Sequence, residues 1–133
     1  MEDTNCGCKS QCDLFSFMAT EMGVSVLHPG GYSATKTIGN YIKINKESHV
    51  LDVACGVGTT SKYLNKKYQS YISGIDIDSN FIETANRNNN NKKINFVVAD
   101  ALHLPFPDNC FDAVIAQAFL ILVDDHEQAL KEI

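Results

Sequence analysis

The chain has 133 residues, 44% of them hydrophobic, and its sixteen Asp and Glu outnumber eleven Lys and Arg, giving a net charge of -5. One domain of this length can bury a sizeable core without disulfides or a metal, which excludes general disorder. The acidic balance argues against a nucleic-acid surface, so the expected ligand is small. Met1-Glu2-Asp3 does not resemble a secretory signal, and the longest apolar stretch, residues 113–123, is too short to cross a bilayer. We expect a cytoplasmic protein without a membrane partner.

The N-terminal region is rich in thiols and weak in periodicity. Residues 1–12 are expected to form a cysteine-containing tail, and residues 13–133 the folded domain. Cys6, Cys8 and Cys12 could gather on a soft ion or on trivalent arsenic, but a zinc site usually needs four ligands. The favoured interpretation is a tail of reduced thiols with no metal. Helical spacing predicts a helix over residues 13–22 and, after the break at residues 28–31, a second over 32–44.

From position 49 short apolar runs alternate with helical segments. The pattern predicts strands over residues 49–54, 71–76, 94–99 and 111–116, and helices over 59–67 and 79–88. A final helix, capped by Asp124, runs toward Ile133. This alternation predicts an α/β fold, a parallel sheet covered by helices on both faces.

A glycine turn joins the first strand to the following helix. Gly56 and Gly58 let the backbone approach a ligand closely, and the start of a helix offers unpaired N–H groups. A lone Gly-x-Gly is also found in ordinary packing turns. Two acidic residues strengthen the functional interpretation: Asp76 follows Gly58 by eighteen residues, near the offset of a ribose-binding carboxylate, and Asp100 ends the third strand. The three sites meet at one edge of the predicted sheet.

The residues around the glycine turn distinguish a dinucleotide from a cationic nucleoside as the ligand. A dinucleotide site would have a third glycine where Ser61 stands, and the carboxylate of Asp52 disfavours a pyrophosphate. Asp52, Asp76 and Asp100 would form an acidic crevice, which suits the cationic nucleoside S-adenosylmethionine. A NAD-dependent reductase remains a distant alternative.

Three segments carry a resemblance to a known family. They are Val50-Leu-Asp-Val-Ala-Cys-Gly-Val-Gly58, Gly74-Ile-Asp-Ile-Asp78 and Ala99-Asp-Ala-Leu-His-Leu-Pro-Phe-Pro-Asp-Asn-Cys-Phe-Asp112. Together they resemble the signature segments of class I S-adenosylmethionine-dependent methyltransferases, nearest to the quinone C-methyltransferase and arsenite methyltransferase type. The likeness covers about residues 28–133. It implies a Rossmann-like three-layer αβα fold with a partial parallel sheet of order 3-2-1-4, preceded by N-terminal helices.

The resemblance also implies residue roles, all toward S-adenosylmethionine. The methionine part would lie against Asp52 and the turn, the ribose hydroxyls on Asp76, and the adenine edge on Asp100 and Ala101. Gln117 would close over the cofactor and face the substrate, and Tyr32 is a weaker candidate for the substrate side. The implied cofactor-binding residues are Asp52, Ala54, Gly56, Gly58, Asp76, Ile77, Asp100, Ala101 and Gln117.

Methyl transfer is an in-line displacement that mainly requires alignment and exclusion of water. A dedicated base is optional, so no catalytic residue is assigned, and the small-molecule acceptor is left open.

Complete members of the resembled family continue through about three further strands, so the chain is expected to be the N-terminal, cofactor-binding part. The competing hypothesis is a non-catalytic cofactor-binding or assembly module. An uncovered fourth strand would be a liability, which predicts a homo-oligomer that covers it.

Several residues have simpler interpretations. Asp78 is expected to cap the second helix of the α/β part, and Asp112 to start the fourth strand. Cys55 is expected to pack under the glycine turn and Cys110 to be a partly buried filler. His49 and His103 are expected to be structural.

Overall fold

We obtained a computed structural model of the chain, which describes residues 18, 22–23 and 27–133. The cysteine tail lies outside the described residues, as does most of the predicted helix over residues 13–22. Expectations for those segments therefore stay predictions.

Strands and helices alternate along the described part of the chain. The strands are β1 (His49–Val53), β2 (Tyr71–Asp76), β3 (Ile94–Val98) and β4 (Ala113–Ala116). The helices are α1 (Gly31–Tyr41), α2 (Thr59–Tyr68), α3 (Ser79–Arg87) and α4 (His126–Glu132), and a 3-10 turn, Leu120–Leu122, precedes α4. No helix among these residues is both long and apolar enough to cross a membrane.

The four strands form one parallel sheet in the order β3-β2-β1-β4. This confirms the predicted α/β fold class and the order 3-2-1-4. Because all strands run the same way, their carboxyl ends meet at one edge, which we call the carboxyl edge. In the described residues β4 pairs with β1 alone, and the homo-oligomer expected to cover its other side stays a prediction.

Alternation along β1 divides the core into two clusters. Val50 joins the cluster under α1, α2 and α3, whereas Leu51 and Val53 join the cluster under α4. All three side chains are fully buried. Since side chains alternate between the two faces of a strand, Asp52 points to the same side as Val50, toward α2. The sheet therefore has helices on both faces, and a carboxylate enters one of the two apolar layers.

Several element ends differ from the sequence prediction. α4 is capped by Asp125, whose carboxylate accepts from the backbone N–H of Gln128 at 2.9 Å, so the prediction of Asp124 is wrong. α1 ends at Tyr41 rather than residue 44, because Lys43 takes a left-handed φ of 53° that a helix cannot continue through. β4 begins at Ala113, two residues later than predicted; Asp112 lies just before it rather than starting it, and its backbone N–H donates to the His49 carbonyl at 2.8 Å.

Of the simpler interpretations, those of Asp78 and Cys55 are confirmed and that of Cys110 is wrong. Asp78 caps α3 by accepting from Asn80 N–H at 2.8 Å, and Cys55 is buried, as predicted. Cys110 is exposed, so the prediction of a partly buried filler is wrong. The reason is that it lies beside Asn109, whose left-handed φ of 58° holds a surface turn.

Candidate functional site

The turn between β1 and α2 has an unusual backbone. Ala54, Gly56 and Gly58 all take left-handed φ values, 56°, 54° and 81°. The turn is closed by a hydrogen bond from Gly58 N to Cys55 O at 3.0 Å and tied to β2 by one from Cys55 N to Ile75 O at 2.9 Å. Left-handed backbone is costly for alanine, and such strain is concentrated at functional sites. The structure thus brings the predicted glycine turn to the carboxyl edge in a fixed, strained shape.

The two glycines of the turn have different surroundings. A Cβ built on Gly58 would overlap the Phe96 ring and lie 2.7 Å from its Cε1, so this glycine is required by packing. A Cβ built on Gly56 would meet nothing within 4 Å. The open space above the turn is therefore at Gly56, where a ligand can approach the backbone.

Asp76 fixes the turn from the neighbouring strand. Its Oδ2 accepts from Gly56 N at 2.9 Å and its Oδ1 from Asp78 N at 3.0 Å. Burial raises the pKa of Asp76 above its ordinary value, and these backbone hydrogen bonds oppose the rise. A carboxylate has about four acceptor positions, so two remain for another ligand.

Asp52 lies beneath the turn and is 2% exposed. Its Oδ2 accepts a hydrogen bond of 2.6 Å from the Ser61 hydroxyl, which is itself fully buried. Loss of hydration raises the pKa of Asp52 to about 7, opposed by the Ser61 hydrogen bond and increased by nearby Asp76. The carboxylate that sequence reasoning placed in an acidic crevice is thus interior and bridges β1 to α2. In the sequence Ser61 is distinguished only by standing where a dinucleotide site has glycine, which does not predict its hydrogen bond to Asp52.

The raised pKa of Asp52 predicts how stability depends on pH. A carboxyl whose pKa is about 7 when folded and 3.8 when unfolded holds its proton more tightly in the folded state. That stabilisation is complete below about pH 4 and is lost as the pH rises to about 7. Between about pH 5 and pH 8 we expect the ionisation of Asp52 to lower the free energy of unfolding by about 3 kcal/mol.

Urea unfolding at the two pH values measures this effect. Asp52→Asn keeps an acceptor for Ser61 but cannot ionise, so it is expected to lose most of the pH dependence. The control Asp108→Asn, at an exposed position, should keep the wild-type dependence. Equal slopes in wild type and Asp52→Asn would contradict the buried, proton-binding carboxyl.

Asp100 and Ala101 follow β3 at the same edge. Asp100 Oδ1 accepts from Leu102 N at 2.9 Å, and Oδ2 lies 3.5 Å from His103 Nδ1. The Asp100 side chain is 45% exposed, so the carboxylate shapes its own turn and still reaches solvent. Ala101 packs against the cluster under α4. Ile77, directly after β2, is 72% exposed.

Gln117, directly after β4, lies between α1, α2 and the segment that precedes α1. Its Oε1 accepts from the hydroxyls of Thr35 on α1 at 3.1 Å and Thr60 on α2 at 3.2 Å. Its Nε2 lies 3.5 Å from His28 Nδ1. Sequence reasoning found Gln117 but not its partners, because no local pattern connects residues so far apart in the chain.

Tyr32 has a different setting from the other candidates. Its ring lies 5.5 Å from the ring of Tyr63 on α2, and the residue is 51% exposed. The ring thus packs on a neighbouring helix along one side and reaches solvent along the other.

Two surface depressions lie away from the carboxyl edge. One, of about 670 Å³, is bordered by α2 and residues 88–92 and includes Lys62, Lys66 and Lys92. The other, of about 420 Å³, lies between residues 104–111 and the end of α4. Neither is lined by Gly56, Asp76 or Asp100. The candidate site lies in neither depression but at the turn, where the space above Gly56 is open; we call this space, between the turn and the ends of β2 and β3, the groove.

Comparison with known proteins agrees with the fold. A family model described as a methyltransferase domain matches residues 51–133. The chain is 41% identical over 96 residues to phosphoethanolamine N-methyltransferase of Plasmodium falciparum, covering 71% of this chain and 36% of that protein. It is 35% identical over 123 residues to an uncharacterized protein of Haemophilus influenzae, covering 88% of this chain and 49% of that protein. The crystal structure of MccD protein superposes with a TM-score of 0.75 at 33% identity, covering 79% of this chain and 48% of that one.

The chain belongs to the methyltransferase domain family. This confirms the resemblance to class I S-adenosylmethionine-dependent methyltransferases. The finer likeness to the quinone and arsenite methyltransferase type stays a prediction. The chain spans less than half the length of the curated relatives described above.

Proposed function

We propose that this chain binds S-adenosylmethionine over the glycine turn and takes part in methyl transfer to a small molecule. The observation that carries the proposal is the open space above Gly56, whose N–H is held by Asp76. A backbone cradle beside a half-buried carboxylate fits a nucleoside with a flexible polar chain. The residues present therefore suit the cofactor that the family uses.

The geometry is compatible with the residue roles that the family resemblance implies. The turn at Gly56 and Gly58 would hold the methionine part of the cofactor. Ala54 would fix the strained backbone that leads into this turn. Asp76 would take the ribose hydroxyls on its two remaining acceptor positions. Asp52 would support the turn from beneath, through Ser61, rather than touch the cofactor.

The adenine end would lie between β2 and β3. Ile77 would offer an exposed apolar surface to the ring, and Asp100 with the Ala101 backbone would meet its polar edge. Gln117 would close the methyl side of the groove. Tyr32, 51% exposed on α1, is the weaker proposal for the acceptor side.

When bound, S-adenosylmethionine supplies a methyl carbon attached to a cationic sulfur. The residues of the chain have to hold that carbon in line with the acceptor and keep water out. The acidic side chains of Asp76 and Asp100 would favour a cationic cofactor over a pyrophosphate. The phosphoethanolamine N-methyltransferase relative is named for a small-molecule acceptor, which supports an acceptor of that kind here.

We propose a cytoplasmic location, since Cys55 and Cys110 are free thiols.

Ligand-dependent unfolding tests the proposal. S-adenosylhomocysteine at a hundred times its dissociation constant should stabilise the chain by about 2.7 kcal/mol. NAD at the same concentration as S-adenosylhomocysteine should leave the free energy of unfolding of the chain unchanged. Stabilisation by NAD and not by S-adenosylhomocysteine would contradict the proposal and favour a reductase. Radiolabelled methyl transfer to candidate acceptors then separates an enzyme from a cofactor-binding module without transfer.

A further inference from the structure

A group of four polar side chains connects α1 to the carboxyl edge. We call it the polar cluster: His28, Thr35, Thr60 and Gln117. The Gln117 amide lies at its centre, with both threonine hydroxyls on Oε1 and the histidine ring beside Nε2. The His28 Nε2 lies 3.5 Å from the Thr35 hydroxyl and closes the group. Sequence analysis singled out Gln117 alone.

Thr35 is the most enclosed member of the polar cluster. It is 1% exposed and, with Gly39, one of two buried residues of α1. A buried hydroxyl without a partner costs about 1 to 3 kcal/mol, so a threonine at this position requires an acceptor. It has Gln117 Oε1 at 3.1 Å and the Gly31 carbonyl at 3.4 Å. In the described residues Thr35 is thus the residue of α1 that hydrogen-bonds to the end of β4.

Two hydroxyls on one amide oxygen fix the orientation of the Gln117 side chain. Thr60 lies two residues after Gly58, so this amide is also anchored at the glycine turn. With Oε1 held by the two threonines, the amide N–H₂ group is directed to His28. The His28 Nδ1 lies 3.5 Å from this N–H₂ group and 3.4 Å from the Pro29 carbonyl, and the His28 Nε2 faces the Thr35 hydroxyl.

We infer that Thr35 is a positioning residue for the cofactor site: its buried hydroxyl orients the Gln117 amide and makes α1 part of the wall that closes over the methyl donor. The inference rests on the proposed function, because it needs Gln117 to face the cofactor. It adds α1 and the segment before it to a site otherwise built from strand ends. Thr35 acts through Gln117 and does not itself touch the cofactor.

Three variants of α1 test the inference. Thr35→Val removes the hydroxyl at nearly constant volume, and Thr35→Ser keeps it. Thr37→Val is the matched control, since Thr37 is an exposed threonine of the same helix whose hydroxyl donates to the Ser33 carbonyl at 3.0 Å. Calorimetry with S-adenosylhomocysteine is expected to show about tenfold weaker binding for Thr35→Val. Thr35→Ser should restore most of the affinity, and Thr37→Val should match wild type.

A double-mutant cycle separates positioning from a general structural role. In a Gln117→Leu background, Thr35→Val should cause no further loss of affinity, because the side chain it orients is gone. The Gln117 side-chain amide resonances of the free protein should shift in Thr35→Val and return in Thr35→Ser. Wild-type affinity in Thr35→Val, or a full additional loss in the Gln117→Leu background, overturns the inference alone. Failure of the wild-type chain to bind S-adenosylhomocysteine overturns the proposed function and the inference with it.

Discussion

Asp76→Ala is expected to abolish measurable binding of S-adenosylhomocysteine while the chain still folds. The change removes the proposed acceptor of two ribose hydroxyls and the group that holds the Gly56 N–H at 2.9 Å. Two hydrogen bonds to a charged group, each worth about 1.5 kcal/mol or more, correspond to at least about a hundredfold in affinity. Isothermal titration calorimetry measures the loss, and circular dichroism checks the fold.

The neighbouring Asp78 provides a matched control. It is an acidic residue two positions away whose carboxylate caps α3 through Asn80 N–H. Asp78→Ala should lower stability by about 1 kcal/mol, as lost caps do. It should leave the affinity for S-adenosylhomocysteine near wild type. Near-wild-type affinity in Asp76→Ala, or equal losses in both variants, would refute the ribose role of Asp76.

Gly58→Ala is expected to have the largest effect on stability. The new Cβ would overlap the Phe96 ring, which is 4% exposed and cannot move aside without disturbing the core. The residue would also be held at a φ of 81°. Left-handed strain and overpacking together cost about 3 kcal/mol or more, a large part of the stability of a small domain. Urea unfolding should show this loss without any ligand.

Gly56→Ala separates binding from folding. Its Cβ would meet nothing within 4 Å, so the cost to stability is the left-handed strain alone, about 1 kcal/mol. The methyl group would, however, enter the space proposed for the methionine part of the cofactor. We expect a folded variant with strongly reduced affinity for S-adenosylhomocysteine. Similar stability losses in the two glycine variants, or full affinity in Gly56→Ala, would show that the open space above the turn is not the cofactor cradle.

The sheet was predictable because its signals are local. Apolar runs of five or six residues separated by helical segments define a parallel sheet, and the ends of β2 agree with the prediction to the residue. The family segments then supply the strand order. The cap at Asp78 follows from its position before a helix. The sequence likewise indicates that Asp76 and Asp100 share an edge with the glycine turn, because strand ends of a parallel sheet meet there.

The location of the Asp52 carboxylate depends on the direction of its side chain, which the motif around the glycine turn does not indicate. Residues alternate along a strand, so a carboxylate two positions after buried Val50 should share its face and point under α2. Applied to β1, this rule predicts an interior Asp52 that needs a buried donor, and Ser61 is the hydroxyl within reach. The predicted acidic crevice rests on the places of the three carboxylates at the glycine turn and the strand ends, and not on the directions of their side chains. Two carboxylates, Asp76 and Asp100, remain at the surface of the groove.

Other features have no local signal at all. The requirement for glycine at position 58 comes from Phe96, a residue of β3 nearly forty positions away. The partners of the consecutive asparagines at 88–91 are likewise not marked in the sequence: Asn89 donates to the Ile94 carbonyl and Asn91 to the buried Asn65. The contact between Thr35 and Gln117 spans 82 residues. Such pairs are set by tertiary packing, which a single sequence does not show.

The most direct measurement is a crystal structure of this chain with S-adenosylhomocysteine. The predicted result has the ribose hydroxyls on the Asp76 carboxylate, the amino-acid end above Gly56, the adenine ring beside Ile77, and the Gln117 amide next to the sulfur. Ligand density in either of the two depressions away from the carboxyl edge, with the groove above Gly56 empty, would contradict the proposed cofactor site.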